Sequence, residues 1–207
     1  MEKRVIPVKT VERLVLYKRL LRDILAKGES SLYSHQLAKM ANNTPAQVRR
    51  DLMMIGYAGG TPRKGYQTQE LIDRIIQILD ESKEQKIVLV GIGNLGRAIL
   101  SYFSFQQPGF TIAAAFDSDE SKTNRVIAGC RCYHLREFAE KIKETDAKLG
   151  VITVPAQHAQ QVADMMIECG IKGILNFAPI PLKVPDNVFI DRIDITMALE
   201  KVAYLAG

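Results

Sequence analysis

An apolar strand that runs directly into a glycine-rich turn constrains this chain more than any other feature. Residues 86–97 read KIVLVGIGNLGR, in which Gly91, Gly93 and Gly96 have G-x-G-x-x-G spacing. Asp117 follows about 20 residues later, at the end of a second apolar stretch, as the dinucleotide-binding fingerprint requires. The combination of strand, glycine turn, helix and distant acid predicts a Rossmann-type nucleotide site.

Each residue of this turn has an expected role. Gly91 allows the tight bend, Gly93 lets the backbone approach a pyrophosphate, and Gly96 lets helix and strand pack closely. Asn94 and Leu95 open the following helix, whose N-terminus offers free N–H groups and positive potential to the pyrophosphate. We therefore expect all five residues to contribute to a dinucleotide site.

Asp117 is expected to distinguish between two dinucleotides. A carboxylate at this position accepts hydrogen bonds from the adenosine ribose and repels a 2′-phosphate, which favours NAD(H) over NADP(H). Asp119 adds negative charge, and Arg125 is the cation expected to oppose it if its side chain folds back. The alternative is that Asp117 is only a turn residue after a strand and binds no ligand.

The remainder of residues 83–193 alternates apolar strands with helices, which predicts an α/β domain with a parallel Rossmann-type sheet. This length suffices for one nucleotide-binding domain and leaves no room for a substrate domain. No tyrosine has a lysine four positions later, so the acid–base pair of short-chain dehydrogenases is absent. His134, expected in a loop, and His158, near a helix start, are interpreted as surface or nucleotide-contacting residues. We therefore predict a nucleotide sensor without catalytic residues.

The positive charge of the chain lies before this domain. The chain has 207 residues and a formal net charge of +5, and the whole excess comes from residues 1–66. A basic patch confined to one small domain is typical of proteins that bind a nucleic-acid backbone. A merely soluble surface is the alternative that charge alone leaves open.

Residues 1–82 have the pattern of a winged helix-turn-helix. Helices are predicted at Thr10–Lys27, at His35–Met40 with Ser34 as N-cap, and from Thr44 to about Ile55. Thr44, Pro45 and Gln47 are expected to form a capping box at the start of the third helix. This arrangement predicts that the third helix is the recognition helix.

The third helix presents two different faces. Its core-facing positions are apolar: Val48, Leu52 and Ile55. The opposite arc carries Gln47, Arg49 and Arg50, and Thr44 lies at the N-terminus. Arginine reads guanine edges, glutamine reads adenine, and either binds phosphate, so this arc predicts contacts in a DNA major groove. The alternative is an ordinary solvated helix face.

Residues 56–66 are rich in turn formers and basic residues, and they predict a hairpin wing. Arg63 and Lys64 at its tip are expected to reach phosphates or a minor groove, whereas a plain linker loop is the alternative. A further helix is predicted at 67–82 and a polar hinge follows it. We therefore expect a DNA-binding domain at 1–82, a nucleotide-binding domain at 83–193 and a C-terminal helix at 194–207.

The cysteines and the hydropathy pattern exclude several classes of protein. The chain has three cysteines, Cys130, Cys132 and Cys169. Their odd number and the C-x-C spacing fit neither a disulfide framework nor a zinc site. We expect reduced thiols and no metal, with a redox-active thiol as the alternative. No apolar run approaches the roughly 20 residues of a membrane span, and the charged N-terminus lacks a signal core. We therefore expect a cytoplasmic protein without membrane contact.

Five stretches together resemble the Rex family, the redox-sensing transcriptional repressors of bacteria. They are QVRRDL at 47–52, VGIGNLG at 90–96, FDSD at 116–119, TVPA at 153–156 and GIKGILNFAP at 170–179. The resemblance covers nearly the whole chain and implies a homodimer whose subunits each join a winged helix to a Rossmann domain. It also implies binding to a palindromic double-stranded DNA operator with NAD+ or without ligand, and release by NADH.

The resemblance further implies roles for individual residues. Tyr102 matches the tyrosine that approaches the nicotinamide, and Asp194 matches an aspartate that pairs with an arginine of the first helix, here Arg19. The family's other nucleotide contacts fall on Val154, Pro155, Asn176 and Phe177. The family wing implies DNA contacts for Arg63 and Tyr66, although the loop here is one residue longer.

Residues 194–207 resemble the family's domain-swapped dimerisation helix, shortened. Apolar residues recur there at helical spacing: Ile195, Leu199, Val202 and Leu205. Two other functions remain open at this point. One is a small NAD-dependent oxidoreductase with an auxiliary basic domain, and the other is a nucleotide- or CoA-binding protein whose basic domain binds a protein partner.

Overall fold

The computed structural model describes residues 6–57, 59–61, 64–79, 84–104 and 109–207. The chain divides into two compact units, Met1–Lys83 and Glu84–Gly207. Each unit has a hydrophobic core of its own. Of the described helices, none is long and apolar enough to cross a bilayer.

The first unit is helical with one small sheet. Its helices are α1 (Val8–Ala26), α2 (Ser34–Met40), α3 (Pro45–Met54) and α4 (Thr68–Leu79), and its strands are β1 (Ser31–Leu32) and β2 (Tyr66–Gln67). The two strands pair antiparallel. The predicted helix-turn-helix followed by a wing is therefore confirmed. Ser34 is the first residue of α2 rather than its cap, because the Tyr33 N–H donates to Gln36 Oε1 at 2.7 Å.

The core of this unit explains the apolar spacing along its helices. Leu14, Tyr17 and Leu21 lie on one stripe of α1 and are buried against apolar residues of α3 and α4. Val48, Leu52 and Ile55 are also buried, so the predicted inner face of α3 is confirmed. The remaining arc of α3 is left for solvent or a ligand.

The second unit is a seven-stranded sheet with helices. Its elements are β3 (Gln85–Val90), α5 (Asn94–Ser104), β4 (Phe110–Asp117), β5 (Arg125–Ile127), β6 (Cys130–His134), α6 (Phe138–Thr145), β7 (Leu149–Ile152), α7 (Ala156–Glu168), β8 (Gly173–Asn176), β9 (Phe189–Arg192) and α8 (Ile195–Ala206). The strand order is β5-β6-β4-β3-β7-β8-β9, and only β5 runs antiparallel to its neighbour. The predicted Rossmann-type parallel sheet is confirmed, and the β5–β6 hairpin at its edge is an addition.

The central strand β3 is buried on both faces. Val88 and Val90 pack in one cluster with residues of α6 and α7, while Ile87 and Leu89 pack in another with Leu100 of α5. A parallel strand covered on both sides reads as a continuous apolar run, as this strand does. Because β4 lies on one side of β3 and β7 on the other, the chain crosses over in opposite directions here. Ligands of open α/β sheets bind at such a switch point, beyond the carboxyl ends of the strands.

The C-terminal helix α8 differs from the other helices because no residue of it is buried. Its exposed side chains include Leu199, which is 64% exposed, and Tyr204, which is 85% exposed. Ile195, Val202 and Leu205 are exposed as well. A run of large apolar side chains in water is the usual mark of an interaction surface.

Candidate nucleotide site and nucleic-acid interface

A cavity of about 1030 Å³ lies beyond the carboxyl ends of β3, β4 and β7. It brings together most of the residues that the sequence predicted for a nucleotide: Gly91, Gly93, Asn94, Leu95, Asp117, Val154, Pro155 and Phe177. Its remaining lining comes from Val90, Thr153, Leu135, the segment after β4 and one face of α7. The cavity therefore coincides with the switch point of the sheet.

The glycine turn is crowded at two of its three glycines. Gly91 has φ +104°, and a Cβ there would lie 2.8 Å from the backbone of Thr153. A Cβ on Gly96 would lie 1.9 Å from the Gly91 carbonyl oxygen, so α5 begins in backbone contact with the turn. Gly93 differs, because a Cβ there would meet open space inside the cavity. Two glycines thus serve packing, and the third leaves room for a ligand.

Asp117 is almost fully buried at the end of β4, and both of its carboxylate oxygens are engaged. Oδ2 accepts the Ile92 N–H at 2.7 Å, and Oδ1 accepts the Asp119 N–H at 2.9 Å. The Nζ atom of Lys122 lies 3.5 Å from Oδ2 and 3.2 Å from the Asp119 carboxylate. Lys122, not Arg125, is therefore the cation that faces these acids, because the 3-10 turn at Glu120–Lys122 folds its side chain back.

The charged residues that line the cavity are mostly acidic. Four carboxylates line it, those of Asp117, Asp119, Asp164 and Glu168. Among the described lining residues Lys122 is the one lysine. Hydrogen bonds from Ser121 and then from Lys122 lower the pKa of Asp119 to about 2. This charge disfavours a ligand with an extra phosphate on the adenosine ribose.

One face of α7 also lines the site, and of its residues only His158 had been considered as a nucleotide contact. His158, Gln161, Val162 and Met165 recur at helical spacing and all face the cavity. That spacing after a strand end was visible in the sequence and is the signal that identifies them. His134 is not in a loop as expected, because it ends β6 and its Nδ1 accepts the Arg136 N–H at 3.1 Å.

Other predicted nucleotide residues do not line the cavity as the described residues define it. Asn176 is buried, and its side-chain amide bonds to the backbone of the turn that follows β8. Nδ2 donates to the Ala178 and Ile180 carbonyls, and Oδ1 accepts the Ala178 N–H. It therefore holds the turn that carries Phe177 into the cavity. Tyr102 is 60% exposed on α5, with its ring edge-on to Phe103.

The two residues of the expected switch pair lie in different units. Arg19 is exposed on α1 of the first unit. Asp194 is half-buried in the second unit and caps α8, because its Oδ1 accepts the Met197 N–H at 2.9 Å. Capping was not anticipated for this aspartate. The pairing itself stays a prediction.

The recognition helix α3 begins as expected but is capped differently. Thr44 Oγ1 accepts the Gln47 N–H at 3.2 Å, and Pro45 is the first helical residue. The reciprocal half of the predicted capping box is wrong, because the Thr44 N–H donates to Asn43 Oδ1 at 2.8 Å. The Gln47 amide instead donates to Asp51 Oδ1 at 2.9 Å.

The arginines of α3 are exposed and have local partners. Arg49 donates to Ser34 Oγ at 3.2 Å, which links α3 to the start of α2. Arg50 donates to Gln47 Oε1 at 3.5 Å. Both guanidinium groups keep donors free for a ligand, since each of these bonds uses one N–H of five. The exposed arc of α3 is therefore basic, as a DNA-reading helix requires.

Asp51 is the residue of α3 that the sequence analysis missed. Its side chain is buried, and Arg13 of α1 donates to both carboxylate oxygens at 2.7 Å. The Tyr17 hydroxyl donates to Oδ2 at 3.0 Å. Burial and the charge of Asp51 raise the pKa of Tyr17 to about 12. The ion pair thus fastens α3 to α1.

The wing closes through backbone bonds between Thr61 and Gly65, and Lys64 is exposed beside them. Tyr66 pairs with Leu32 in the small sheet, and its ring lies 6.0 Å from that of Tyr57. Tyr66 is therefore partly buried in the unit. Arg63, predicted to contact DNA, lies outside the described residues.

The cysteines offer no metal centre. Where residues are described, no group of three His, Cys, Asp or Glu side chains has the spacing to hold a metal. Cys130 and Cys132 are buried in β6, and burial raises the pKa of Cys130 to about 12. Burial also raises the pKa of Cys132 and of the half-buried Cys169.

Two family models match the two units. Residues 5–52 match the family described as "Putative DNA-binding protein N-terminus", and residues 82–180 match the family described as "CoA binding domain". The redox-sensing transcriptional repressor Rex of Desulforamulus reducens is 38% identical over 96% of this chain and 94% of its own length.

Solved structures give the same result. RSP, a Rex-family repressor, was solved in complex with beta-NAD+ and operator DNA. It has a TM-score of 0.91 and 30% identity to this chain, and the match covers 98% of this chain and 93% of RSP. RSP in complex with beta-NADH has a TM-score of 0.85 at the same identity, over 98% and 94% of the two chains. Because the similarity extends over nearly the whole length of these proteins, the chain belongs to the Rex family of redox-sensing transcriptional repressors.

Proposed function

We propose that this chain is a DNA-binding repressor that responds to the ratio of NADH to NAD+. It binds a palindromic operator with NAD+ or without ligand, and NADH releases it. The observation that carries the proposal is that one chain holds both parts. Exposed Arg49 and Arg50 lie on a capped recognition helix, and Asp117 lies beside a glycine turn that opens onto a cavity.

The cavity fits a dinucleotide with an unmodified adenosine ribose. The space left by Gly93 and the start of α5 suit a pyrophosphate. Asp117 and Asp119 suit ribose hydroxyls and disfavour the 2′-phosphate of NADP(H). They disfavour the 3′-phosphate of coenzyme A for the same reason, so we favour NAD(H) over the ligand in the matched family's description. Gly91, Asn94, Leu95, Gly96, Val154, Pro155, Asn176 and Phe177 complete the proposed binding residues.

The redox state is read at the nicotinamide end. NAD+ and NADH differ by one positive charge on that ring, so a nearby carboxylate discriminates between them. We assign this role to Asp194, with Arg19 as its alternate partner and Tyr102 beside the ring. A ligand shifts a conformational equilibrium only by its differential affinity for the two states, and NADH would favour the state that cannot bind DNA.

The DNA contacts follow from exposure and charge. Arg49 and Arg50 are assigned to the major groove, Thr44 at the helix N-terminus to a phosphate, and Lys64 with Arg63 to the backbone or minor groove beside the wing. Tyr66 supports the wing from within. Since the chromosome of a bacterium lies in its cytoplasm, we place the protein there.

A palindromic operator requires a twofold-symmetric protein. The exposed apolar side chains of α8, such as Leu199 and Leu205, are proposed to be covered by a second copy in a homodimer, by exchange of α8 between subunits. Two recognition helices are then held about one helical turn of DNA apart.

The alternative is a small NAD-dependent oxidoreductase with an auxiliary basic domain. We disfavour it because relatives similar over nearly full length are named repressors. His158 lines the cavity and is of a residue type that can move a proton, but among the described residues no side-chain hydrogen bond orients its ring. Turnover of NADH with a candidate substrate would favour this alternative.

A fluorescence-anisotropy titration at fixed salt tests the proposal. The probe is the DNA upstream of the protein's own operon, and NAD+, NADH and NADPH are added separately. We expect release by NADH and not by NAD+ or NADPH. Tight DNA binding that none of the three nucleotides changes would disprove redox sensing. Absence of DNA binding even at low salt would disprove the DNA-binding role.

A further inference from the structure

The carboxylate of Asp51 has no capacity for a further hydrogen bond. A carboxylate accepts about four hydrogen bonds. Here Oδ2 receives Arg13 Nε and the Tyr17 hydroxyl, while Oδ1 receives Arg13 Nη2 and Gln47 Nε2. Asn43 in turn donates to the Tyr17 oxygen at 3.2 Å. No described buried side-chain N or O atom lacks a partner, so this network is complete.

The network fixes which way the Gln47 amide faces. Because Oδ1 of Asp51 accepts only, the NH2 group of Gln47 turns inward and its Oε1 turns outward. Arg50, one turn further along the exposed arc, donates to that Oε1 at 3.5 Å. The sequence of contacts therefore runs from Arg13 through Asp51 and Gln47 to Arg50.

This orientation conflicts with the sequence expectation that Gln47 reads adenine. That pairing requires NH2 and Oε1 to lie edge-on to the base, one donating to N7 and the other accepting from N6. Turning the amide would break its bond to Asp51 and leave a buried carboxylate oxygen short of a donor, which is costly. Burial alone would raise the pKa of Asp51, but the bonds from Arg13, Gln47 and Tyr17 outweigh it and lower the pKa.

We propose that Asp51 and Gln47 are positioning residues that aim Arg50 at a guanine of the operator, and that Gln47 does not read adenine. The inference rests on the proposed function, in which α3 enters the major groove. Arginine carries much rotamer freedom, and a pre-oriented guanidinium loses less of it when a base is bound. Bidentate pairing with guanine O6 and N7 depends on that orientation, whereas attraction to phosphates does not.

The test is a double-mutant cycle on operator DNA recovered by selection from random duplexes with the full-length protein. Wild type, Gln47→Ala, Arg50→Ala and the double variant are titrated against the operator and against operators with each base pair replaced in turn. Arg50→Ala is expected to remove the preference for one G·C pair, about five- to hundredfold. Gln47→Ala is expected to weaken the preference at that same pair, and the double variant to lose little more than Arg50→Ala alone.

Arg49→Ala is the matched control. Arg49 is exposed on the same helix, but its partner is Ser34 rather than Gln47. Its loss should therefore add to that of Gln47→Ala without coupling. Binding of Gln47→Ala to random-sequence DNA at low salt should stay within about twofold of wild type, since this variant changes no charge and phosphate attraction is unaffected. Circular dichroism of Gln47→Ala and of Gln47→Met, which keeps the aliphatic stem, checks that α3 still folds.

Two results would overturn the inference while the proposed function stands. One is a loss of preference at an A·T pair in Gln47→Ala, which would mean that Gln47 reads adenine. The other is full additivity between Gln47→Ala and Arg50→Ala with wild-type binding intact. If the wild-type protein binds no DNA at any salt concentration, the proposed function fails and the inference fails with it.

Discussion

The Oδ2 atom of Asp117 accepts the backbone N–H of Ile92 at 2.7 Å, so the acid at the end of β4 holds the glycine turn at the end of β3. The two strands are neighbours in the parallel sheet, and their carboxyl ends therefore meet. The residue assigned to the ribose thus also shapes the loop assigned to the pyrophosphate. Substitutions at this position act on both parts of the site.

Asp117→Asn and Asp117→Ala are expected to separate these two effects. Asparagine keeps an oxygen for Ile92 and loses the charge, so the affinity for NADPH should rise relative to that for NADH. Alanine loses the turn contact and the ribose contact, and NADH affinity should fall about 10- to 100-fold, as for lost bonds to a charged group. Calorimetric titration with NADH and with NADPH measures both affinities. The control is Asp186→Asn, a change at an exposed residue. Unchanged NADH affinity in the alanine variant would exclude the ribose role.

The glycine turn offers a test that distinguishes folding from binding. Gly96→Ala places a Cβ 1.9 Å from the Gly91 carbonyl oxygen, so we expect about 1–3 kcal/mol of destabilisation from overpacking. Gly93→Ala meets nothing within 4 Å, so its thermal stability should stay near wild type while NADH binding weakens. Thermal denaturation and NADH titration of both variants check this. Normal NADH binding by Gly93→Ala would show that the pyrophosphate lies elsewhere.

The elements found from sequence are those with local signals. The strand before Gly91 and the apolar face of α3 follow from periodicity and composition, and both are confirmed. The β5–β6 hairpin was missed because its two-residue turn is Ala128-Gly129. Both residues have positive φ there, a conformation usually signalled by Asn-Gly.

The contacts missed from sequence are those between distant residues. Arg13 and Asp51 are 38 positions apart, and neither has a local pattern that predicts an ion pair. The sequence analysis considered only Arg125 as a cation that could fold back towards Asp117, whereas backbone folding brings Lys122 there. Side-chain pairing depends on how elements pack, and periodicity reports only which face packs. The residue types of the site were therefore predictable, and their partners were not.

The ion pair between the half-buried Arg13 and the buried Asp51 predicts acid sensitivity of the first unit. The pKa of Asp51 is lower in the folded state than its ordinary value of 3.8, so its contribution to stability is present above that value and is lost as the pH falls through the folded-state pKa. Asp51→Asn should lower the free energy of unfolding at pH 7 by about 3 kcal/mol and make it less dependent on pH below 4.

Hydrogen exchange of the peptide that covers α3, measured between pH 3 and 7, localises this effect. Arg13→Met is the complementary variant, because it leaves Asp51 buried without its cation and should be most destabilised at neutral pH. Its stability should approach that of wild type as Asp51 becomes protonated. Parallel pH profiles for wild type and Asp51→Asn would argue that the pair does not stabilise the unit.

The thiols are expected to take no part in redox sensing. With a pKa of about 12, Cys130 is a thiolate in only about one molecule in ten thousand at pH 8. Iodoacetamide should therefore label Cys130 and Cys132 in the native protein far more slowly than Cys169, and all three equally in denaturant. Mass spectrometry of timed samples measures these rates. Fast labelling of Cys130 in the native protein, or release of DNA by peroxide alone, would show that the thiols take part in redox sensing.

The exposed face of α8 makes a prediction about assembly. Leu199→Asp places a charge on the apolar face proposed to be covered by a second copy, and burying a leucine contributes about 1.5–3 kcal/mol. We expect dimer dissociation to rise by tenfold or more in light scattering, with little change in monomer stability because Leu199 is 64% exposed on its own chain. Operator affinity should fall with it, since a monomer reaches one half-site, while NADH still binds the cavity beside Asp117. Glu200→Gln, one position along the same helix, is the control and should remain dimeric; a dimer that survives Leu199→Asp would place the interface on another surface.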